Sequence, residues 1–195
     1  MYRVVYWFFS NLFRLLWRFR YYGRENLPDA PYMVVGNHYG LFDPVFITGA
    51  LPRKDKPRYM AKAELFRFPP MRWFMTSVGG YPVERGKSDI SAVRKTIEVL
   101  KAGHNVLIFP EGTRVKKEDP ANALTGCAMI ACKADVPLVP VYITHRRRML
   151  IDSIRVYIGS PFRVALLEGV SRTESYKAAT FDMMARIYSM NPDKQ

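Results

Sequence analysis

The chain has 195 residues, 49% of them hydrophobic and 24% charged. That length and balance suit one globular domain able to bury its own core, and they exclude wholesale disorder. Lys and Arg number 30 against 17 Asp and Glu, a formal net charge of +13, so the protein expects an anionic partner: a membrane surface, an acidic ligand or nucleic acid. The two cysteines, Cys127 and Cys132, would point about 140° apart on one helix and could not bridge. With no second pair to complete a zinc site, a disulfide framework is out and a reducing cytosol is the expected compartment.

Residues 1–22, MYRVVYWFFSNLFRLLWRFRYY, lack the small-residue cleavage site of a signal peptide. Arg14 and Arg18 also interrupt the apolar run well short of the roughly 20 residues that a bilayer span needs. Placed on a helix, Arg3, Ser10, Asn11, Arg14 and Arg18 share one arc. Val4, Val5, Phe8, Phe9, Leu12, Leu15, Leu16 and Phe19 fill the opposite one, with Tyr6, Phe13 and Trp17 on a flank. A basic stripe, a Leu/Phe face and marginal aromatics predict an amphipathic helix in a membrane interface, and the same face would also suit packing on the protein's own core.

Beyond Gly23 short apolar runs alternate with helical periods. Strands are predicted at 32–36, 58–61, 80–83, 106–109, 138–143 and 154–158. Helices are predicted at 42–51, 70–78, 123–134 and about 173–189. One more follows the caps Ser88 and Asp89, with Ile90, Val93, Ile97 and Leu100 as its stripe and Gly103 as its stop. This alternation predicts an α/β fold: a single domain at 23–195 with a mixed, largely parallel sheet flanked by helices, preceded by the N-terminal helix at 1–22.

Two loops carry chemistry. Asn37-His38-Tyr39-Gly40-Leu41-Phe42-Asp43 directly follows a strand, where α/β proteins place their sites. If the chain turns back at Gly40, Asp43 can fix one imidazole nitrogen of His38 and leave the other to accept a proton. No Gly-x-Ser-x-Gly elbow exists and neither cysteine has activating neighbours, so the nucleophile would be a substrate hydroxyl or a water. Taken alone, the pair also fits a satisfied loop histidine. Phe109-Pro110-Glu111-Gly112-Thr113-Arg114 follows another strand; Gly112 permits close backbone approach, and Thr113 and Arg114 offer a hydroxyl and a planar fork for phosphate. Gly80-Tyr81-Pro82-Val83-Glu84-Arg85 ends in a further arginine. Each of these also reads as a turn with a solvated Arg. His104 and His145 have no motif around them.

In fixed order, these residues resemble the lysophosphatidate (1-acyl-sn-glycerol-3-phosphate) acyltransferase family in its small bacterial type. Asn37, His38 and Asp43 match its Asn-His-x4-Asp block, and Gly80, Val83 and Arg85 its Gly-x-x-apolar-x-Arg block. Phe109–Arg114 is present unchanged, and Val136-Pro137-Leu138-Val139-Pro140-Val141 matches its Pro-containing strand. The resemblance runs from Gly23 to about Ile143. One departure stands out: many members carry a Lys just before the glycine that here is Gly126, where this chain has Leu124 and Thr125, with Lys116 and Lys117 as the available substitutes.

The resemblance implies transfer of an acyl group from acyl-CoA or acyl carrier protein to the sn-2 hydroxyl of lysophosphatidic acid. His38 would be the general base, oriented by Asp43, with no covalent intermediate. Asn37, Lys62, Arg85, Glu111, Gly112, Thr113 and Arg114 would bind substrate, the arginines taking the phosphate. It implies no metal, no cofactor beyond the thioester co-substrate and no nucleic acid, but an anionic membrane surface at the cytoplasmic face of the cell membrane. Acylation of glycerol 3-phosphate or another lysolipid is the neighbouring alternative; a basic membrane- or nucleic-acid-binding module is the alternative of a different class.

Overall fold

A computed structural model describes residues 18–29, 31–52, 56–83, 90–144 and 153–194. Seven strands form one sheet: β1 (Arg20–Tyr22), β2 (Met33–Gly36), β3 (Arg58–Lys62), β4 (Gly80–Val83), β5 (Val106–Ile108), β6 (Leu138–Ile143) and β7 (Arg155–Ile158), in the spatial order β1-β7-β6-β2-β5-β3-β4. Strands β2 to β6 run parallel to one another, β7 is antiparallel to β6, and β1 is parallel to β7. The helices are α1 (Asp43–Ala50), α2 (Pro69–Ser77), α3 (Ile90–Lys101), α4 (Gly126–Ala134) and α5 (Arg172–Ser189). This is the mixed, largely parallel α/β sheet that the alternation predicts.

The central strands are apolar at every position because both faces of the sheet are covered. Side chains alternate across the pleat. On one face Met33, Val35, Val106, Ile108, Leu138 and Tyr142 meet Leu100 of α3, Cys127, Ile130 and Ala131 of α4, and Met183, Met184 and Ile187 of α5. On the other, Val34, Leu107, Val139, Val141 and Ile143 meet Phe46, Ile47 and Ala50 of α1. Truncating a residue such as Leu107 to Ala would cost about 2–5 kcal/mol. The helix ends are chemically marked. Ser171 and Glu174 form a reciprocal capping box that opens α5. Arg24 donates from Nε to Ala50 O and from Nη2 to Gly49 O, satisfying carbonyls at the end of α1.

Three expectations shift. Residues 20–22, assigned by periodicity to the amphipathic helix, form β1 instead. The pair Tyr21-Tyr22 suits a strand, Tyr22 stacks on Tyr157 with centroids 5.0 Å apart, and Gly23 turns the chain at φ +81°. Residues 1–17 of the predicted helix lie outside the described residues, as do the caps Ser88 and Asp89 and the stretch 145–152 with His145 and Arg146–Arg148. Helix α4 begins at Gly126 rather than 123, because Leu124 N is drawn to Pro110 O at 2.8 Å. In α3 Ile90 is 66% exposed, while Val93 and Ile97 pack on the core as predicted. Among the described residues no helix is long and apolar enough to cross a membrane. What matters for function is that five parallel strands bring the C-terminal ends of β2, β3, β4, β5 and β6 to one edge of the sheet.

Candidate active site

Strand β2 ends at Gly36, and the next residue anchors everything that follows. Asn37 is fully buried. Its Nδ2 donates to Ile143 O at 2.8 Å and its Oδ1 accepts from Ile143 N at 2.7 Å. Asn37, expected at the substrate, is placed as a strut that fastens the β2 loop to the end of β6.

The loop then folds back on Asp43. Its Oδ2 accepts from Tyr39 N at 2.6 Å and Gly40 N at 2.7 Å, and lies 2.9 Å from His38 Nδ1. Asp43 is fully buried as the first residue of α1, where the helix dipole favours a carboxylate. An ionised carboxylate only accepts, so Nδ1 is the donor and Nε2 keeps the lone pair. The imidazole stacks on Phe109, centroids 4.2 Å apart at 19°, and its side chain is 19% accessible. It is held on one side, clamped from below and still reachable.

Phe109–Arg114 leaves β5 beside it. Gly112 N closes a turn on Phe109 O at 3.0 Å. Gly112 sits at φ +69°, a left-handed backbone that favours glycine. Glu111 is buried; Oε1 accepts from His38 N at 3.3 Å and Tyr188 OH at 3.0 Å, while Oε2 has no hydrogen-bond partner among the described residues. Burial pushes this carboxyl upward, against the bonds from Tyr188 and His38. Val115 N donates to His38 O at 2.9 Å, joining the two loops.

Thr113 and Arg114 are exposed on the same turn, and Lys62 is exposed at the end of β3 on the same sheet edge. Arg114 and Lys62 make no hydrogen bond or ion pair with another described residue. Arg85 lies outside the described residues. The structure thus joins His38, Asp43 and Glu111 directly, carries Gly112, Thr113 and Arg114 on the adjoining turn, and leaves Lys62 near but separate. Burial pushes the Cys127 thiol up to about 12, which removes it as a nucleophile.

Sequence reasoning missed Glu118. Its Oε1 accepts from Tyr39 OH at 2.6 Å, Asn191 Nδ2 at 2.9 Å and Tyr142 OH at 3.0 Å, and Lys194 Nζ lies 2.5 Å from Oε2. Burial pushes the carboxyl up, but the bonds from Lys194, Tyr39 and Tyr142 outweigh it and hold it below the usual range. The phenols of Tyr39 and Tyr142 are pushed up, chiefly by burial, and stay neutral donors. Inside Lys-Lys-Glu-Asp the residue reads as part of a solvated charge run, and no local signal marks it.

The family model described as Acyltransferase matches residues 18–144. The 1-acyl-sn-glycerol-3-phosphate acyltransferase of Bacillus subtilis (strain 168) is 30% identical over 172 residues, covering 85% of this chain and 84% of that protein. The chloroplastic 1-acyl-sn-glycerol-3-phosphate acyltransferase BAT2 of Brassica napus is 33% identical over 123 residues; the match covers 61% of this chain and only 35% of the plant protein. The crystal structure of the 1-acyl-sn-glycerophosphate acyltransferase PlsC from Thermotoga maritima superposes with a TM-score of 0.70 at 26% identity, over 98% of this chain and 80% of that one. The matched span contains both the His38–Asp43 loop and the Phe109–Arg114 turn, and the chain belongs to the acyltransferase family.

Proposed function

We propose that the protein transfers an acyl group from an acyl thioester, of coenzyme A or acyl carrier protein, to the sn-2 hydroxyl of lysophosphatidic acid, giving phosphatidic acid. The observation that carries this reading is the His38–Asp43 pair, with Nε2 unspent and Cys127 unfit as a nucleophile. The names of the Bacillus, Brassica and Thermotoga relatives support the choice of acceptor.

His38 Nε2 takes the hydroxyl proton as the acceptor oxygen attacks the thioester carbonyl. The tetrahedral adduct then expels the thiolate, which receives that proton from the imidazolium, leaving an ester and a free thiol. Asp43 stabilises the imidazolium between these steps, and general-base assistance of this kind contributes about 10²–10⁴-fold. Arg114, with Arg85 and Lys62, takes the acceptor's phosphate, and Gly112 lets the main chain approach it. Glu111 and Thr113, with Gly112, shape the pocket around it. The scheme uses no metal or prosthetic group. The basic, aromatic N-terminal segment would hold the domain peripherally at the cytoplasmic face of the cell membrane.

The test is turnover by the purified full chain with lysophosphatidic acid, glycerol 3-phosphate and lysophosphatidylcholine against both thioester types. Phosphatidic acid is the expected main product. Faster acylation of glycerol 3-phosphate would make the protein an sn-1 enzyme, and no acyl transfer at all would return it to the class of basic binding modules.

A further inference from the structure

Helix α2 places no side chain fully inside the core. None of its nine residues is buried, and the seven positions from Arg67 to Trp73 are all exposed. Phe68 is 64% exposed, Trp73 50% and Met71 37%. Single exposed apolar residues are ordinary, but a run of them on one short helix marks a contact surface. Its charge is one-sided as well: from Leu65 to Val83 the only charged residues are Arg67 and Arg72. A shallow groove of about 480 Å³ runs between Arg67, Arg72 and Trp73.

The topology fixes where this surface stands. Strands β3 and β4 are parallel neighbours, so the chain leaving β3 at the catalytic edge must travel back before β4 begins. Helix α2 makes that return, and Arg67 and Phe68, which lead into it, therefore lie at the edge that carries Lys62 and the His38 loop.

We propose that α2 and the residues that lead into it form a membrane-docking face: Phe68 and Trp73 enter the headgroup–acyl boundary of an anionic bilayer while Arg67 and Arg72 bind lipid phosphates. Aromatic side chains flanked by arginines suit that boundary. A second copy of the chain does not, because it would set one net charge of +13 against another. An acidic protein would answer the arginines but not the exposed Phe and Trp. The proposal rests on the lipid acceptor argued above, since docking at this edge presents the site to a molecule lying in the bilayer. It is separate from any anchor at residues 1–17.

The chain has three tryptophans, so Trp7→Phe with Trp17→Phe leaves Trp73 as the sole reporter. This full-length protein is mixed with phosphatidylcholine vesicles, with and without phosphatidylglycerol, and with vesicles carrying brominated acyl chains. Trp73 emission should shift to the blue on the anionic vesicles and be quenched by bromine. In the otherwise unaltered chain, Arg67→Gln with Arg72→Gln should lower partitioning about 30-fold, as two basic residues near the surface would. Phe68→Ser with Trp73→Ser should remove the part of the binding that resists salt. All four side chains are exposed, so unchanged circular dichroism and thermal midpoint should accompany the loss. Vesicle sedimentation with Trp73 unquenched would overturn the proposal, as would no sedimentation at all. Loss of acyl carrier protein binding, with vesicle binding intact, would make the patch a protein dock and also overturn it. None of these readouts needs turnover, so a failed acylation assay would overturn the proposed function and leave the docking result standing on its own.

Discussion

His38, Asp43 and Glu111 are held by hydrogen bonds drawn from the β2 loop, α1, the β5 turn and α5, whereas Arg114 and Lys62, on the same sheet edge, are exposed with no bond to another described residue. The contrast fits the roles proposed for the two groups. A general base gains from being oriented before the substrate arrives, because no reorganisation is then left for the reacting step. A phosphate-binding cation gains from having no internal carboxylate to give up, although its exposure to water weakens the contact it makes. One region is wired to itself and the other stands open to solvent, as the proposed phosphate site requires.

The largest test of this division is His38→Ala. Its kcat should fall about 10²–10⁴-fold, with the acceptor KM little changed and the fold intact by circular dichroism. Asp43→Asn should approach the same loss, and the double variant should be no worse than the poorer single one, because the two groups act as a unit. Near-normal turnover of His38→Ala would remove the wired region from the chemistry altogether. Next comes Arg114→Ala, which should raise the acceptor KM about 10–150-fold through loss of a charge-assisted bond worth about 1.5–3 kcal/mol. Arg114→Lys should recover only part of this, since an ammonium lacks the planar fork. If Arg114→Ala lowers kcat as much as His38→Ala and spares KM, the two regions are not distinct.

What the sequence disclosed and what it hid divide along similar physical lines. Strands β2, β5 and β6 were legible because burial on both faces makes them unbroken apolar runs between turn residues. The His38–Asp43 pair was legible because its partners are five positions apart on one turn. Strand β1 was not, since Arg20-Tyr21-Tyr22 continues the basic and aromatic pattern of the preceding helix period, and only pairing with β7 decides its state. The bracing role of Asn37 was hidden because its partner, Ile143, is 106 positions away. Glu118 was invisible for the same reason: its partners come from the His38 loop, β6 and the chain beyond α5. Contacts of that span leave no local spacing to read.

Glu118 gives the third prediction, since Tyr39 directly follows His38 and ties the wired region to the C-terminal segment. Glu118→Ala would strand the donors of Tyr39, Tyr142 and Asn191, at a cost of about 1–3 kcal/mol. It should lower kcat about tenfold by loosening the His38 loop, with the acceptor KM unchanged. Glu118→Gln should restore most of the rate, because its amide oxygen still accepts all three bonds. What Gln loses is the ion pair to Lys194, which is 56% exposed and contributes under about 1 kcal/mol. A raised KM, or a Gln variant no better than the Ala one, would reduce the cluster to a purely structural clasp.

The smallest effect concerns the one strained member of the wired region. Glu111 has a folded pKa raised by burial above its ordinary value of 4.5. The unfolded chain ionises it near that value, while the folded protein resists. Its contribution to stability is therefore fully present below about pH 4.5 and is lost as pH rises through the folded pKa. Glu111→Gln keeps an oxygen to accept from His38 N and Tyr188 OH but does not titrate, so it escapes the loss. The thermal midpoint of the Gln variant, measured against the parent, should climb between pH 4 and pH 8, by about 2–4 °C for each kcal/mol of relief. A difference that stays constant across that range would mean that the folded protein ionises Glu111 as easily as water does. The unpartnered Oε2 would then have a solvent partner, and the buried half of the site would be wetter than its hydrogen bonds imply.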